Sequence, residues 1–190
     1  MNVFDFDGTI YRGDSSVDFF FFCLRKHPST IKMLPRFTRS LFYYKLGKIE
    51  KETLKESFFS FLCNIPDIKT AVALFWDSNQ SKIKSWYIEI HRDDDIVVSA
   101  SPQFLLAEIC RRLQINHLIA SEVNPSNGCF FSKNCHGAEK VTRLFEKHPD
   151  AAIDNFFSDS LTYDKHLARL ANRAWYVTKD AIQPWPTKQL

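Results

Sequence analysis

Asp5 and Asp7 stand two residues apart at the end of a short apolar run, Asn2-Val3-Phe4-Asp5-Phe6, and Gly8 and Thr9 follow at once. In a strand, residues i and i+2 project to the same side, so both carboxylates can face one site at the carboxyl edge of a sheet. Two such anions repel unless a cation lies beside them. A hard ion such as Mg²⁺, held by one or two carboxylates together with water and a substrate phosphate, supplies that charge. One carboxylate can then attack phosphorus to give an aspartyl-phosphate, while the other protonates the leaving alkoxide and later takes a proton from water. Gly8 lets the backbone approach a ligand, and Thr9 offers a hydroxyl and an amide to phosphate oxygens. Asp-Gly by itself would be read as a turn. With four specified residues, however, D-x-D-G-T arises by chance only about once in a thousand chains of this length, which weighs against the turn.

Such a pair needs a rigid sheet behind it, and the spacing of apolar residues supplies one. Asn2 to Phe6 reads as a strand that stops at Asp7-Gly8-Thr9. From about Ser16 to Arg92 the spacing turns helical, with Leu34, Phe37, Leu41 and Tyr44 on one face and Leu54, Phe58 and Leu62 on another. Strands then alternate with helices. Ile96-Val97-Val98 precedes a helix from Gln103 to Leu113, and Leu118-Ile119-Ala120 precedes a hairpin turning at Asn127-Gly128. A helix over 137–147, a strand over 153–157, a helix over 162–171 and a strand at Trp175-Tyr176-Val177 complete the series, and the tail Gln183-Pro184-Trp185-Pro186 reads as irregular. Strands alternating with helices of about ten residues imply a parallel sheet covered on both faces.

The opening motif resembles that of the haloacid dehalogenase superfamily of phosphatases, in which D-x-D-x-T follows a strand, and the later motifs of that superfamily occur here in order. Its second motif, a strand ending in Ser or Thr, is matched by Ile96-Val97-Val98-Ser99, with Ala100-Ser101-Pro102 leading into a helix whose N-terminal amides suit an anion. Its third, a lysine at a helix start, is matched by Gly137-Ala138-Glu139-Lys140. Its fourth, an acidic pair after a later strand, is matched by Phe156-Phe157-Ser158-Asp159 followed by Asp164. Here the second acid comes five residues after the first, where four is frequent. Tyr163 occupies the usual place, His166 stands near an expected Pro, and Ser158 replaces a frequent Gly.

The resemblance implies an α/β fold, a Rossmann-like three-layer parallel-sheet core formed by residues 1–14 and 93–190. A small all-helical cap, residues 15–92, is inserted after the first strand. This is the arrangement of subfamily IB with a C1-type cap, the group that contains phosphoserine phosphatase and a phosphatidylglycerophosphate phosphatase. The resemblance further implies that Asp5 is the nucleophile and Asp7 the acid and base. Asp5, the backbone carbonyl of Asp7, and Asp159 would hold Mg²⁺. Thr9, Ser99 and Lys140 would grip the phosphate, Gly8 and Ala100 would support the loops, and Asp164 would orient metal waters or Lys140. Asp14 and Ser15 lie where phosphoserine phosphatases read an amino group, although Asp14 equally suits a helix N-cap.

The substrate expected on these grounds is a small phosphorylated metabolite. Pro35 to Lys45 interleaves bases with aromatics, which suits either contact with an anionic membrane surface and a lipid phosphate or a helix with snorkelling Arg and Lys. A catalytically weak phospho-ligand binding protein and a phosphotransferase to another acceptor are the competing readings.

Bulk composition narrows the field. With 25 basic and 22 acidic side chains interspersed, the formal charge of +3 is too balanced for nucleic-acid binding. The longest apolar run, Phe19 to Leu24, is far short of a membrane span, and the opening residues lack a secretory signal, so a cytoplasmic protein is expected. Five cysteines without a C-x-x-C pair argue against structural zinc. The 18 phenylalanines, most of them before residue 76, point to two regions with different tasks.

Overall fold

The computed structural model describes residues 1–179 and 181–186. Strand β1 (Asn2–Phe4) is buried along its whole length in the middle of a six-stranded sheet. The order is β3-β2-β1-β4-β5-β6, with β2 at Ile96–Pro102, β3 at His117–Ser121, β4 at Asn155–Ser158, β5 at Arg173–Thr178 and β6 at Ala181–Pro184. The first five strands in that order pair in parallel, and β6 runs antiparallel to β5. Because β2 and β3 lie on one side of β1 while β4 and β5 lie on the other, the chain reverses its winding beside β1. The carboxyl end of β1 therefore opens onto a crevice suited to a ligand.

Neighbouring residues on each strand feed two separate cores, as strand alternation requires. Phe4, Val97, Ala120, Phe157 and Val177 face one side of the sheet, whereas Val3, Ile96, Val98, Ile119 and Phe156 face the other. The first side is covered by residues from five helices that all fall between β1 and β2, namely α1 (Ser15–Lys26), α2 (Leu34–Lys45), α3 (Lys51–Phe59), α4 (Ile68–Asn79) and α5 (Ser85–Ile90), together with α6 (Gln103–Arg112). The second side is covered by α7 (Ala138–Lys147), the short α8 (Lys165–Ala168) and Trp185. The phenylalanine-rich front half thus packs with the sheet: Phe19, Phe61, Phe75 and Trp76 are buried in the same cluster as Phe4 and Phe6. Trp76 also donates its indole N–H to the Leu105 carbonyl at 2.7 Å.

Helix starts follow local chemistry. Asp14 accepts from the Val17 amide at 3.0 Å to cap α1, and Asp67 accepts from the Thr70 amide at 3.0 Å to cap α4. Among the described residues no single helix is long and apolar enough to cross a membrane. The pair Lys51–Asn64 and Ile68–Lys82 passes a length and composition test only jointly and is bent by 102° at its break.

The sheet and its two helical layers match the α/β expectation, with four local corrections. β1 ends at Phe4, and the amides of Thr9, Ile10 and Tyr11 all turn back to the Phe6 carbonyl, so strand alternation does not extend to Asp7. β2 continues past Ser99 to Pro102, with a register shift against β3 between Val98 and Pro102. The helix expected over 162–171 shrinks to Lys165–Ala168, because Asp164 is drawn into the protein and the Asn172 amide is taken by the Ile153 carbonyl at 2.9 Å. The tail expected to be irregular contains β6. Its Pro184 is tolerated at the end of an edge strand, and Trp185 is buried against Phe156 and Tyr176.

Candidate active site

The carboxyl end of β1 delivers Asp5 into a buried cluster of charges. Lys140, in the first turn of α7, donates to Asp5 Oδ1 at 2.7 Å and also lies 2.8 Å from Asp164 Oδ1. Asp164 is fixed in turn by the Ser158 hydroxyl, which donates to its Oδ2 at 2.6 Å. The serine that stands in place of a frequent glycine therefore makes a buried bond of its own. Burial pushes the Asp5 carboxyl up to about 8, with Asp164 and Asp7 adding to the rise and Lys140 opposing it. Burial also disfavours the Lys140 ammonium, but Asp5 and Asp164 outweigh that and hold it protonated. The cluster carries more acid than base, so a metal-free site keeps an extra proton or attracts a cation.

Asp7 is held from two directions, by the Ser101 hydroxyl at 2.5 Å on Oδ2 and by the Ser15 amide at 2.6 Å on Oδ1. Burial and then Asp14 push its carboxyl up to about 6, against the bonds from Ser101 and Ser15. Gly8 takes φ +73°, and a Cβ there would fall 1.9 Å from Asp159 Oδ2. The Asp159 carboxylate thus lies directly over the backbone of the opening loop. The Asp159 amide donates to Thr9 Oγ1 at 2.9 Å, which ties the end of β4 to the turn after β1. Lys84 donates to the Gly8 carbonyl, and it lines a second recess together with Gly8 and Asp159.

A cavity of about 610 Å³ opens above these groups, and its lining includes Asp5, Asp7, Gly8, Ser99, Ala100, Lys140, Asp159 and Asp164. Eight of the residues singled out from sequence meet there. Asp14 lines the cavity too, with one carboxylate oxygen spent on capping α1. Thr9 and Ser15 lie elsewhere. Both are fully buried, and both anchor other site residues, Asp159 for Thr9 and Asp7 for Ser15. Ser99 is buried at the cavity wall, and its hydroxyl accepts from the Ser101 amide at 3.1 Å. A wider recess of about 770 Å³ around Gln103, Arg111 and Asn116 lies away from these carboxylates.

Sequence reasoning missed Ser101, Lys84, Lys51 and Lys55. Lys51 and Lys55 line the cavity together with His136 and Tyr163, while Val17, Phe37, Leu54 and Phe58 form an apolar side. The i, i+4 spacing of the two lysines in an amphipathic helix is also that of an ordinary solvated face, so the spacing held no signal. Ser101 had one, since it sits in the Ser99-Ala100-Ser101-Pro102 segment that leads from strand to helix.

Among the described residues no three His, Cys, Asp or Glu side chains form a ready-made metal cage. The donors at the opening loop nonetheless suit a hard ion. The Asp159 carboxylate reaches over Gly8, Asp5 and Asp7 line the same cavity, and all the available donors are oxygens. Two carboxylates and a backbone carbonyl, with water completing the shell, is the kind of set that Mg²⁺ takes.

The family model for haloacid dehalogenase-like hydrolases matches residues 3–169. The chain belongs to that family. No protein of curated function matches the sequence. Among solved structures, this haloacid dehalogenase-like hydrolase is similar to a Bordetella pertussis Tohama I protein of unknown function, with a TM-score of 0.75 and 19% identity over 92% of this chain and 87% of that one. It is similar to a phosphoserine phosphohydrolase-like protein from Francisella tularensis subsp. tularensis SCHU S4, with a TM-score of 0.54 and 18% identity over 92% and 86%. A phosphoserine phosphatase captured as an analogue of its phospho-aspartyl intermediate gives 0.53 and 14% over 90% and 83%. At these identities the likeness shows a shared fold.

Proposed function

We propose that the chain is a Mg²⁺-dependent phosphomonoester hydrolase that acts through an aspartyl-phosphate on Asp5. The observation that carries this reading is the 2.7 Å contact between Lys140 and Asp5, in a cavity that Asp7 and Asp159 also line. Lys140 occupies Asp5 Oδ1, which leaves Oδ2 to attack phosphorus. As the new O–P bond forms, the bond to the substrate alcohol breaks, and protonated Asp7 gives its proton to the leaving oxygen. Asp7, now a carboxylate, takes a proton from water, whose oxygen displaces Asp5 and releases inorganic phosphate. A carboxyl held near 6 suits both steps at neutral pH. Ser99 and Lys140 offer donors to the phosphoryl oxygens, on which charge accumulates in the transition state. Mg²⁺ bound by Asp5, Asp159 and the Asp7 carbonyl would neutralise the phosphate charge and keep Asp5 ionised.

In this reading residues 15–92 act as the cap that excludes water and selects a small phosphorylated metabolite. The test is release of phosphate from p-nitrophenyl phosphate with Mg²⁺. Turnover that vanishes with chelator and in Asp5→Asn is expected, and equal turnover in wild type and Asp5→Asn would overturn the assignment.

One observation favours a lipid phosphate presented at a membrane surface as the substrate. Residues 19–49 contain Arg25, Lys26, Lys32, Arg36, Arg39, Lys45 and Lys48 and no Asp or Glu. Ile31, Phe42 and Leu46 are exposed along the same stretch, and α2 buries no residue. Sedimentation with vesicles of anionic against zwitterionic lipid separates the two readings. Retention by the anionic vesicles supports the lipid substrate, and no retention supports the metabolite.

A further inference from the structure

The cavity has a cationic side that hydrolysis at Asp5 does not use. Lys51 and Lys55 lie one turn apart on α3, and neither forms an ion pair among the described residues. Lys55 donates to the Ala100 carbonyl at 2.9 Å and the Asn134 side-chain oxygen at 3.0 Å. Lys51 lies 2.8 Å from His136 Nε2 and 4.4 Å from the centre of the Tyr163 ring. Burial, followed by Lys51, Lys55 and Lys140, pushes His136 down to about 4, so at neutral pH it is an uncharged acceptor for Lys51. Every partner of the two ammonium groups is therefore neutral. Taking such charges partly out of water is costly, and an anion entering the cavity would remove that cost.

Their placement shows where this anion would sit. Lys55 reaches the Ala100 carbonyl, one residue beyond Ser99 at the phosphate end of the cavity, whereas Lys51, a turn away, reaches His136 and the Tyr163 ring instead. Lys140 already serves the phosphate beside Asp5. On the other side, Phe37 and Phe58 pack with ring centres 5.4 Å apart and, with Val17 and Leu54, present hydrocarbon. A molecule whose phosphate lies at Asp5 therefore passes between an apolar wall and two unpaired ammonium groups.

We propose that Lys51 and Lys55, with His136 and Tyr163 positioning Lys51, form a subsite for a second anionic group on the alcohol portion of the substrate. This rests on the hydrolase reading and adds a substrate class to it: phosphomonoesters whose apolar body carries a carboxylate or a further phosphate.

The experiment compares hexyl phosphate with two analogues of the same body, one ending in a carboxylate and one in a second phosphate, using the full chain with Mg²⁺. The doubly anionic esters should show kcat/KM higher by about tenfold or more, carried by KM. Lys51→Ala should reduce that ratio toward one and Lys51→Arg should retain it. A preference for one of the two analogues identifies the second group. A ratio near one in wild type, or one unchanged in Lys51→Ala, overturns the subsite. Calorimetric binding of hexylphosphonate and 6-carboxyhexylphosphonate reads the same subsite without turnover. Absence of phosphate release with a preserved, Lys51-dependent preference for the carboxylated phosphonate would refute the hydrolase reading and leave the subsite standing. Equal binding of the two phosphonates would refute the subsite.

Discussion

Asp159 and Gly8 occupy the same small volume, the carboxylate Oδ2 of one lying 1.9 Å from where a Cβ of the other would be. Gly8→Ala therefore forces Asp159 off the opening loop and also strains a backbone at φ +73°. The backbone part costs about 1 kcal/mol. Gly47, at φ +68° with nothing within 4 Å, isolates it, because Gly47→Ala has the strain without the collision. Gly8→Ala should lose at least as much stability as Gly47→Ala in thermal melts, and it alone should lose about a hundredfold in turnover. Equal activity in the two would show that the position of Asp159 is irrelevant to the chemistry.

Lys140 is the buried charge on which Asp5 and Asp164 both depend. Lys140→Met leaves two carboxylates without their cation and should cost about 3 kcal/mol in chelator, as for other broken buried pairs. Adding Asp164→Asn removes one of the stranded charges, so the double variant should regain part of that stability and remain inactive. Chemical denaturation of the two proteins beside the wild type measures this. A double variant less stable than Lys140→Met would mean that Asp164 stabilises the fold through some partner other than the lysine.

The motifs were legible because each joins a strand end or helix start to a residue type with distinct chemistry, and the parallel sheet was legible because Val97-Val98 and Phe156-Phe157 are apolar on both faces. What sequence did not show depends on distant parts of the chain meeting. The amides of Thr9, Ile10 and Tyr11 close on Phe6, so Asp5 and Asp7 share a cavity through a turn rather than through strand alternation. The hydroxyl of Thr9, read as a phosphate ligand, is spent on the Asp159 amide 150 residues away. Lys51 and Lys55 resemble surface charges until α3 is seen against Asn134 and His136. The edge strand β6 was hidden by Pro184 at its end and Pro186 just beyond, since the bar that proline sets on strand formation applies to interior strands.

That strand gives a test away from the chemistry. Trp185 is 5% exposed, and its amide donates to the Ala174 carbonyl at 2.9 Å. Trp185→Ala should cost about 3 kcal/mol by emptying the space against Phe156 and Tyr176. In a chain of this size that lowers Tm by about 8 °C, with KM for p-nitrophenyl phosphate unchanged. A melt indistinguishable from wild type would show that β6 adds nothing to the core.

The carboxyls at the site make a further prediction about pH. A carboxyl raised to about 8 in the fold, against an ordinary value of 3.8, means that the native protein holds a proton that the unfolded chain has lost. Stability then falls as pH rises through that interval, by up to about 1.4 kcal/mol per unit for one proton. Below the ordinary histidine range the trend is obscured, because His136, pushed down to about 4, favours the fold as pH rises toward 6.5. Asp7, at about 6, is mostly ionised by then and adds to the decline only at its lower end. Lys55, lowered to about 8, changes charge only at the upper end of the interval. Between pH 6.5 and 8 the proton on the Asp5 cluster therefore dominates, and Tm in chelator should decline across that window. Mg²⁺ bound at the proposed site would compete with this proton, so the stabilisation it gives should grow over the same window. Asp5→Asn removes the titrating group and should flatten the chelator profile. A decline that persists in Asp5→Asn would place the proton on another group.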